Sequence, residues 1–211
     1  VLFMSLPSAV SIMTIPMVIT NFVQMMISGR IKSVIIRHWR LFLGLFTGLP
    51  IGVFMLSAVE TQYLLIAVGI FLMFIATLEI TGISFSFLGS RENLYGPLIG
   101  LAAGIIGGIT TLYGTLPVFF FIALGLEKDD FVSAVSVMLF GGSIFLLLSL
   151  QSMDFLKPTE IAYSVIGLVP LFAGMWAGTK VRGHIPQATF KKFVLTLVAL
   201  IGVIMIYRAL F

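Results

Sequence analysis

The sequence predicts an all-α, polytopic bundle of transmembrane helices, and three observations support this fold class. Of the 211 residues, 60% are apolar and only 9% are charged, with a mean hydropathy of +1.19. Apolar runs of about 20 residues, long enough to cross a bilayer as helices, recur from one end to the other. A Gly-rich run at residues 100–126 is apolar enough for a membrane but is interrupted in its middle at Pro117. This composition excludes a soluble globular domain.

Six clear apolar segments are each predicted to form one membrane helix. They are residues 5–27, 41–59, 63–80, 131–150, 161–178 and 193–210. The Gly-rich run adds residues 97–115, which are long enough to cross, and residues 116–126, which are not.

Two loops carry most of the positive charge and contain no acidic residue. One loop holds Arg30, Lys32, Arg37 and Arg40, and the other holds Lys180, Arg182, Lys191 and Lys192. The positive-inside rule places both loops in the cytoplasm, so the net charge of +4 is interpreted as a topology signal and not as a nucleic-acid footprint. All loops lie on the sides that this rule assigns to them only if the broken run enters and leaves the membrane on the cytoplasmic side, as a helical hairpin.

The break in the Gly-rich run is the predicted binding site. About ten residues follow Pro117 before the next charges, roughly 15 Å of helix or half of the ~30 Å hydrocarbon layer. Backbone N–H groups inside the membrane must face protein, water or an anion. Thr115 is expected to cap the half-helix and, with Thr110, Thr111 and Gly114, to line an anion site at its N-terminus. The alternative is that these threonines bond their own backbone and the glycine serves close packing.

An internal repeat is visible in two pairs of matching segments. SAVSIM at residues 8–13 matches SAVSVM at residues 133–138, and LFTGLPIG at residues 45–52 matches LFAGMWAG at residues 171–178. The offsets are nearly equal, and the first pair would cross the membrane in opposite directions. Inverted repeats of this kind are typical of secondary transporters.

The repeat predicts the organisation of the chain. Residues 1–81 are assigned to a first repeat, residues 82–96 to a cytoplasmic linker and residues 97–211 to a second repeat. The counterpart of the Gly-rich hairpin would precede Val1, so the sequence is expected to be an N-terminally incomplete piece of a longer chain.

Polar and helix-breaking residues of the first repeat supply further candidates. Pro16 aligns with Gly141, beside Gly142, and these three residues are predicted to interrupt two helices and to form a gate together with Pro117. Asn21 and Gln24 share a face of the first helix and are predicted to donate to an anion, with interhelical packing as the alternative.

Three other titratable residues are given structural roles. Glu79 is expected to reach the lipid headgroups, with proton coupling as the alternative. His38 and His184 are interpreted as residues of the membrane interface, with a pH switch as the alternative, since neither has a metal-ligand partner at a useful spacing.

The chain resembles the TauE/SafE sulfite exporter family in residues 104–138, in NFVQ at 21–24 and in residues 174–210. The resemblance implies a two-repeat carrier of about eight spans in the cell membrane, for small sulfur-containing anions such as sulfite and organosulfonates. The N-terminal Gly-rich motif of the family is absent from this sequence.

The motifs favour transport over catalysis. The sequence has no catalytic triad pattern, no zinc-protease motif and no nucleotide-binding loop, so we expect no enzyme activity, no cofactor and no metal. The expected partners are a small anion and the lipid bilayer, without nucleic acid, and a homodimer is left open. The alternative function is a non-transporting membrane scaffold or assembly protein whose polar residues pack helices.

Overall fold

The computed structural model describes residues 5–81, 92–182 and 187–210, and in these ranges all regular structure is α-helical. The helices are α1 (Leu6–Ser28), α2 (Ile31–Ala58), α3 (Thr61–Thr81), α4 (Glu92–Thr110), α5 (Thr115–Ala123), α6 (Lys128–Ser152), α7 (Pro158–Arg182) and α8 (Gln187–Leu210). The predicted all-α fold class is confirmed.

Five helices within the described residues are long and apolar enough to cross a membrane. They lie at Leu6–Ser28, Ile31–Ala58, Thr61–Leu78, Glu92–Thr110 and Asp129–Ser152. Helices α7 and α8 cover the two remaining predicted segments. The chain is therefore a multi-pass membrane protein, as its hydropathy predicted.

Helix α2 begins ten residues before the predicted span, because the basic stretch that was expected to be a loop is itself helical. His38 has a non-helical backbone, with φ −106° and ψ 19°, and marks a kink between this basic stretch and the apolar part of α2. Helix α4 likewise begins at Glu92, inside the predicted linker, and its acidic first turn complements the positive end of the helix dipole.

The described residues form two compact units. The first contains α1, α2, α4, α5, α6 and the start of α7 up to residue 165, and the second contains α3, the rest of α7 and α8. The prediction of repeats at 1–81 and 97–211 stays a prediction.

The first unit is built on close packing of α2 against α4, which we call the glycine seam. The seam consists of Gly44, Gly48 and Gly52 of α2 and Gly100, Gly104 and Gly108 of α4. A Cβ at any of these positions would lie less than 3.0 Å from backbone atoms of the other helix. The contacts advance together along both helices, so α2 and α4 run parallel. Small residues permit this approach, and tight packing replaces the hydrophobic effect that is missing in lipid.

Helices α1 and α6 pack antiparallel in the same unit. The Ser133 hydroxyl near the start of α6 donates to the carbonyl of Ser28 at the end of α1, at 3.1 Å. Further along, the rings of Phe22 and Phe140 lie 5.4 Å apart. The opposite directions of these two helices are what an inverted repeat requires, although the repeat itself stays a prediction.

The second unit contains a similar contact between α3 and α8. A Cβ at Gly69 would lie 2.7 Å from the carbonyl oxygen of Gly202, and a Cβ at Gly202 would lie 3.0 Å from that of Gly69. Glycine thus brings the helix backbones together in both units.

Candidate functional site

The Gly-rich run folds as a broken hairpin. Helix α4 ends at Thr110 and α5 begins at Thr115, with residues 111–114 outside any helix. Helix α5 has 9 residues, so it is about 13 Å long and spans less than half of the ~30 Å hydrocarbon layer. The chain then turns back along α4, because Phe120 of α5 lies beside Gly96 in the second turn of α4. The predicted break and half-helix are confirmed.

The backbone at the break is held in an unusual conformation. Thr111 has a φ of +70°, a left-handed value that is rare for a β-branched residue. Its N–H donates to the carbonyl of Gly107 at 2.7 Å, which closes the end of α4. Backbone strain of this type often occurs at functional sites, where the surrounding structure maintains it.

The predicted capping role of Thr115 is wrong. The N-cap of α5 is Gly114, without a side-chain hydrogen bond, because the helix begins at Thr115 and not after it. Pro117 lies in the first turn of α5, where its missing N–H disturbs no helical hydrogen bond, so the break precedes the proline. The Thr110 hydroxyl donates to the carbonyl of Ile106 at 2.7 Å, as the alternative interpretation proposed.

The N-terminus of α5 can offer few amides to a ligand. The Thr115 N–H donates to the Leu112 carbonyl, the Val118 N–H donates to the Gly114 carbonyl, and Pro117 has no N–H. At most the amides of Gly114 and Leu116 are left to bind an anion in the first turn, together with the positive end of the helix dipole.

A tyrosine that the sequence analysis missed fixes the turn in place. Tyr113 is fully buried, and its hydroxyl donates to the Leu139 carbonyl of α6 at 2.9 Å. The Asn21 amide of α1 donates to the same carbonyl at 3.1 Å and approaches the Tyr113 hydroxyl at 3.4 Å. Tyr113 therefore joins the turn to α1 and α6. The available signal was a tyrosine inside a Gly-rich membrane break, since a buried tyrosine hydroxyl usually requires a partner.

Two glycines make room for Tyr113, one beside its ring and one beside its backbone. A Cβ at Gly142 would lie 2.6 Å from a ring carbon, and a Cβ at Gly107 would lie 2.7 Å from the Tyr113 Cα. Helix α6 is continuous through Gly141 and Gly142, so the predicted interruption is absent and Gly142 has a packing role instead. Gly141 faces the Phe46 ring.

Helix α1 is likewise continuous through Pro16, whose carbonyl accepts from the Thr20 hydroxyl at 3.0 Å. A gate formed by Pro16, Pro117, Gly141 and Gly142 stays a prediction. The structure brings Asn21, which is 8% exposed, to the turn. Gln24, which was predicted to act with Asn21, lies on the exposed surface instead.

We expect Tyr113→Phe to lower the free energy of unfolding by about 1 kcal/mol, because it removes the hydroxyl that joins the turn to α6. The measurement is thermal or denaturant unfolding in detergent. Tyr63→Phe is the matched control, since Tyr63 is 58% exposed and its hydroxyl should contribute little. Equal stability of the two variants would contradict the proposed role of the Tyr113 hydroxyl.

A separate cavity of about 530 Å³ lies between α1, α2 and α6. Its lining includes Trp39, Phe46, Phe140 and Gly141, and is almost entirely apolar. Because its lining is almost entirely apolar, this cavity is unsuited to a small oxyanion, so the turn is the better candidate site. Among the described residues, no three His, Cys, Asp or Glu side chains lie close enough together to hold a metal ion.

Comparison with known families agrees with this arrangement. The sequence model described as sulfite exporter TauE/SafE matches residues 1–205 of the 211-residue chain. The chain belongs to the TauE/SafE family. No curated protein and no solved structure gave a match. TauE/SafE is a family of transporters, which accords with the five long apolar helices among the described residues.

Proposed function

We propose that this TauE/SafE protein is a secondary transporter that exports small sulfur-containing anions, such as sulfite and organosulfonates, across the plasma membrane. The observation that supports it most directly is the short helix α5, which begins at a strained turn between membrane helices. The family match supports transport of sulfur anions.

The substrate would bind at the N-terminus of α5, beside the turn whose Tyr113 contacts Asn21 of α1. The dipole of α5 and the amides of Gly114 and Leu116 attract negative charge, and the Thr111 hydroxyl stands at the same turn. The Asn21 amide could exchange its long 3.4 Å contact with Tyr113 for an oxyanion oxygen. A helix terminus binds an anion without a fixed cation, so the substrate can leave again.

Export of an anion has a ready driving force. Moving one negative charge out of a cell with an inside-negative potential is favourable by about 2.3 kcal/mol per 100 mV. Together with any outward concentration gradient, this potential drives release without nucleotide hydrolysis, in agreement with the lack of a nucleotide-binding motif in the sequence.

The test is a flux assay in proteoliposomes with sulfite, a short alkylsulfonate, sulfate and chloride. We expect saturable flux of the sulfur oxyanions, faster when the potential pulls the anion outward. If none of the four anions moved in protein-containing vesicles, the transport proposal would be rejected.

Replacing Thr111 with valine tests the site itself. Valine keeps the β-branched shape and removes only the hydroxyl, so we expect the transport efficiency to fall about tenfold, the loss of one hydrogen bond to a charged group. Thr77→Val is the matched control, since the exposed Thr77 hydroxyl bonds the Met73 carbonyl of its own helix. An equal effect of the two substitutions would show that the Thr111 hydroxyl does not bind the anion.

A further inference from the structure

A buried histidine and a glutamate meet at the base of the hairpin. His38, at the kink of α2, has a side chain only 3% exposed, and its Nδ1 lies 2.9 Å from Oε1 of Glu92 in the first turn of α4. The His38 ring also meets the Phe121 ring of α5 edge-on, at 5.0 Å. Helices α2, α4 and α5 therefore meet at this titratable pair. The sequence analysis interpreted His38 as a residue of the membrane interface, and the structure shows that its side chain is buried.

The distance between the two side chains requires a proton. An unprotonated ring nitrogen and a carboxylate oxygen are both acceptors, and at 2.9 Å their lone pairs would repel each other. One of the two atoms must therefore carry a hydrogen. Neither Nδ1 of His38 nor Oε1 of Glu92 has a well-aligned hydrogen-bond partner among the described residues, so their close contact with each other is the main polar interaction of both atoms. The contact is consequently favourable only while a proton lies between these two atoms.

Two further charged side chains act on the pair. Arg37 precedes His38 on α2, and Asp130 at the start of α6 also lies near it, already paired with Arg30. Phe121 brings no charge from α5. With one proton between them, neutral imidazole and carboxylate carry a net charge of −1, and a second proton makes the pair neutral. Imidazole is the side chain whose charge ordinarily changes between pH 5 and 8.

The position of the pair connects protonation to the backbone. His38 is the residue at which α2 departs from helical geometry, and kinks are the points at which helices bend. A change of charge at His38 therefore acts on the kink, on the start of α4 and on the packing of α5 at the same time.

We propose that His38 and Glu92 form a proton-binding site that controls the position of α5 and the charge at the entrance of the hairpin. By the positive-inside rule this end of α2 is cytoplasmic, so the site senses cytoplasmic pH. The neutral, doubly protonated pair repels an approaching anion less than the singly protonated pair does. The expected effect on flux rests on the proposed transport function. Proton binding and the movement of α5 do not depend on it.

Proton binding is tested by NMR on the full chain in lipid nanodiscs. The sequence has only two histidines, so isotope-labelled His184→Gln protein reports His38 alone. We expect the imidazole signals of His38 to titrate between pH 5 and 8, and Glu92→Gln to change the midpoint by about one pH unit. An imidazole that does not titrate, or a midpoint that is the same in Glu92→Gln, would overturn the proposal.

Movement of α5 is tested by pulsed electron paramagnetic resonance. The chain has no cysteine, so spin labels can be placed at Ile122→Cys on α5 and Ile36→Cys on α2, both exposed positions. We expect the distance between the labels to change by about 2 Å or more between pH 8 and 5.5. The change should be absent in His38→Gln and Glu92→Gln and retained in His184→Gln. A distance independent of pH, or an equal change in all variants, would contradict the proposal.

In proteoliposomes, anion flux should rise about fivefold or more as the pH on the cytoplasmic side falls from 8 to 6, and His38→Gln should remove this dependence. If flux is measurable and its pH profile is the same in His38→Gln, the pair does not control transport. If no flux is found at all, the transport proposal fails while the two spectroscopic tests still decide whether the proton site exists.

Discussion

Replacing Gly104 with valine is expected to prevent stable packing of α2 against α4 and to give the largest loss of folded protein of any substitution considered. A Cβ at Gly104 would lie 2.8 Å from both the Gly48 Cα and the Leu49 nitrogen. Overpacked cores lose about 1–3 kcal/mol when neighbouring side chains can shift. Here the neighbours are backbone atoms, so the two helices must separate, and we expect a loss of about 3 kcal/mol or more.

The measurement is the fraction of monodisperse protein after extraction, together with its thermal unfolding in detergent. Gly167→Val is the matched control, because a Cβ at Gly167 of α7 meets nothing within 4 Å. The same change of residue type in a membrane helix should there be tolerated. If Gly104→Val were as stable as Gly167→Val, the glycine seam would not be what holds α2 to α4.

A single methyl group at Gly107 is expected to disrupt the hairpin turn. Gly107 lies on the side of α4 that faces the turn, and a Cβ there would lie 2.7 Å from the Cα and 2.9 Å from the nitrogen of Tyr113. Gly107→Ala should therefore displace Tyr113 and with it the start of α5. We expect a loss of about 1–3 kcal/mol in unfolding free energy and a fall of at least about tenfold in anion flux.

Gly167→Ala is the control, and flux should be compared at equal amounts of folded, reconstituted protein. The result separates two interpretations of the hairpin. If Gly107→Ala folded less stably but transported normally, the turn would have a structural role only, and the anion site would have to lie elsewhere.

Both substitutions concern glycines whose packing partners cannot be identified from the sequence. The spacing of Gly100, Gly104 and Gly108 places them on one face of a helix, and that could be seen in advance. That this face packs on Gly44, Gly48 and Gly52 depends on how two helices far apart in the chain come together. Close packing of helices and close contact with a ligand both require glycine. Composition alone therefore could not show which of these two roles the glycines have.

The candidate site was predicted in part. Thr111 and Gly114 do lie in the turn, and Asn21 does approach it from α1. The cap was misplaced by one residue because Gly114, not Thr115, precedes the first helical residue. Gly142 was expected to weaken α6, but its role depends on the ring of Tyr113, which lies 29 positions earlier in the sequence.

Sequence by itself determined that this is a helical, multi-pass membrane protein with a break after a Gly-rich helix. Those properties follow from local composition, since lipid admits only backbone that satisfies its own hydrogen bonds. Tertiary structure alone decided that Tyr113 joins α1 and α6, that glycines pair α2 with α4, and that His38 meets Glu92. These contacts join residues distant in the chain, and in an apolar sequence many helix faces are chemically equivalent. Only the packing of particular side chains selects among them.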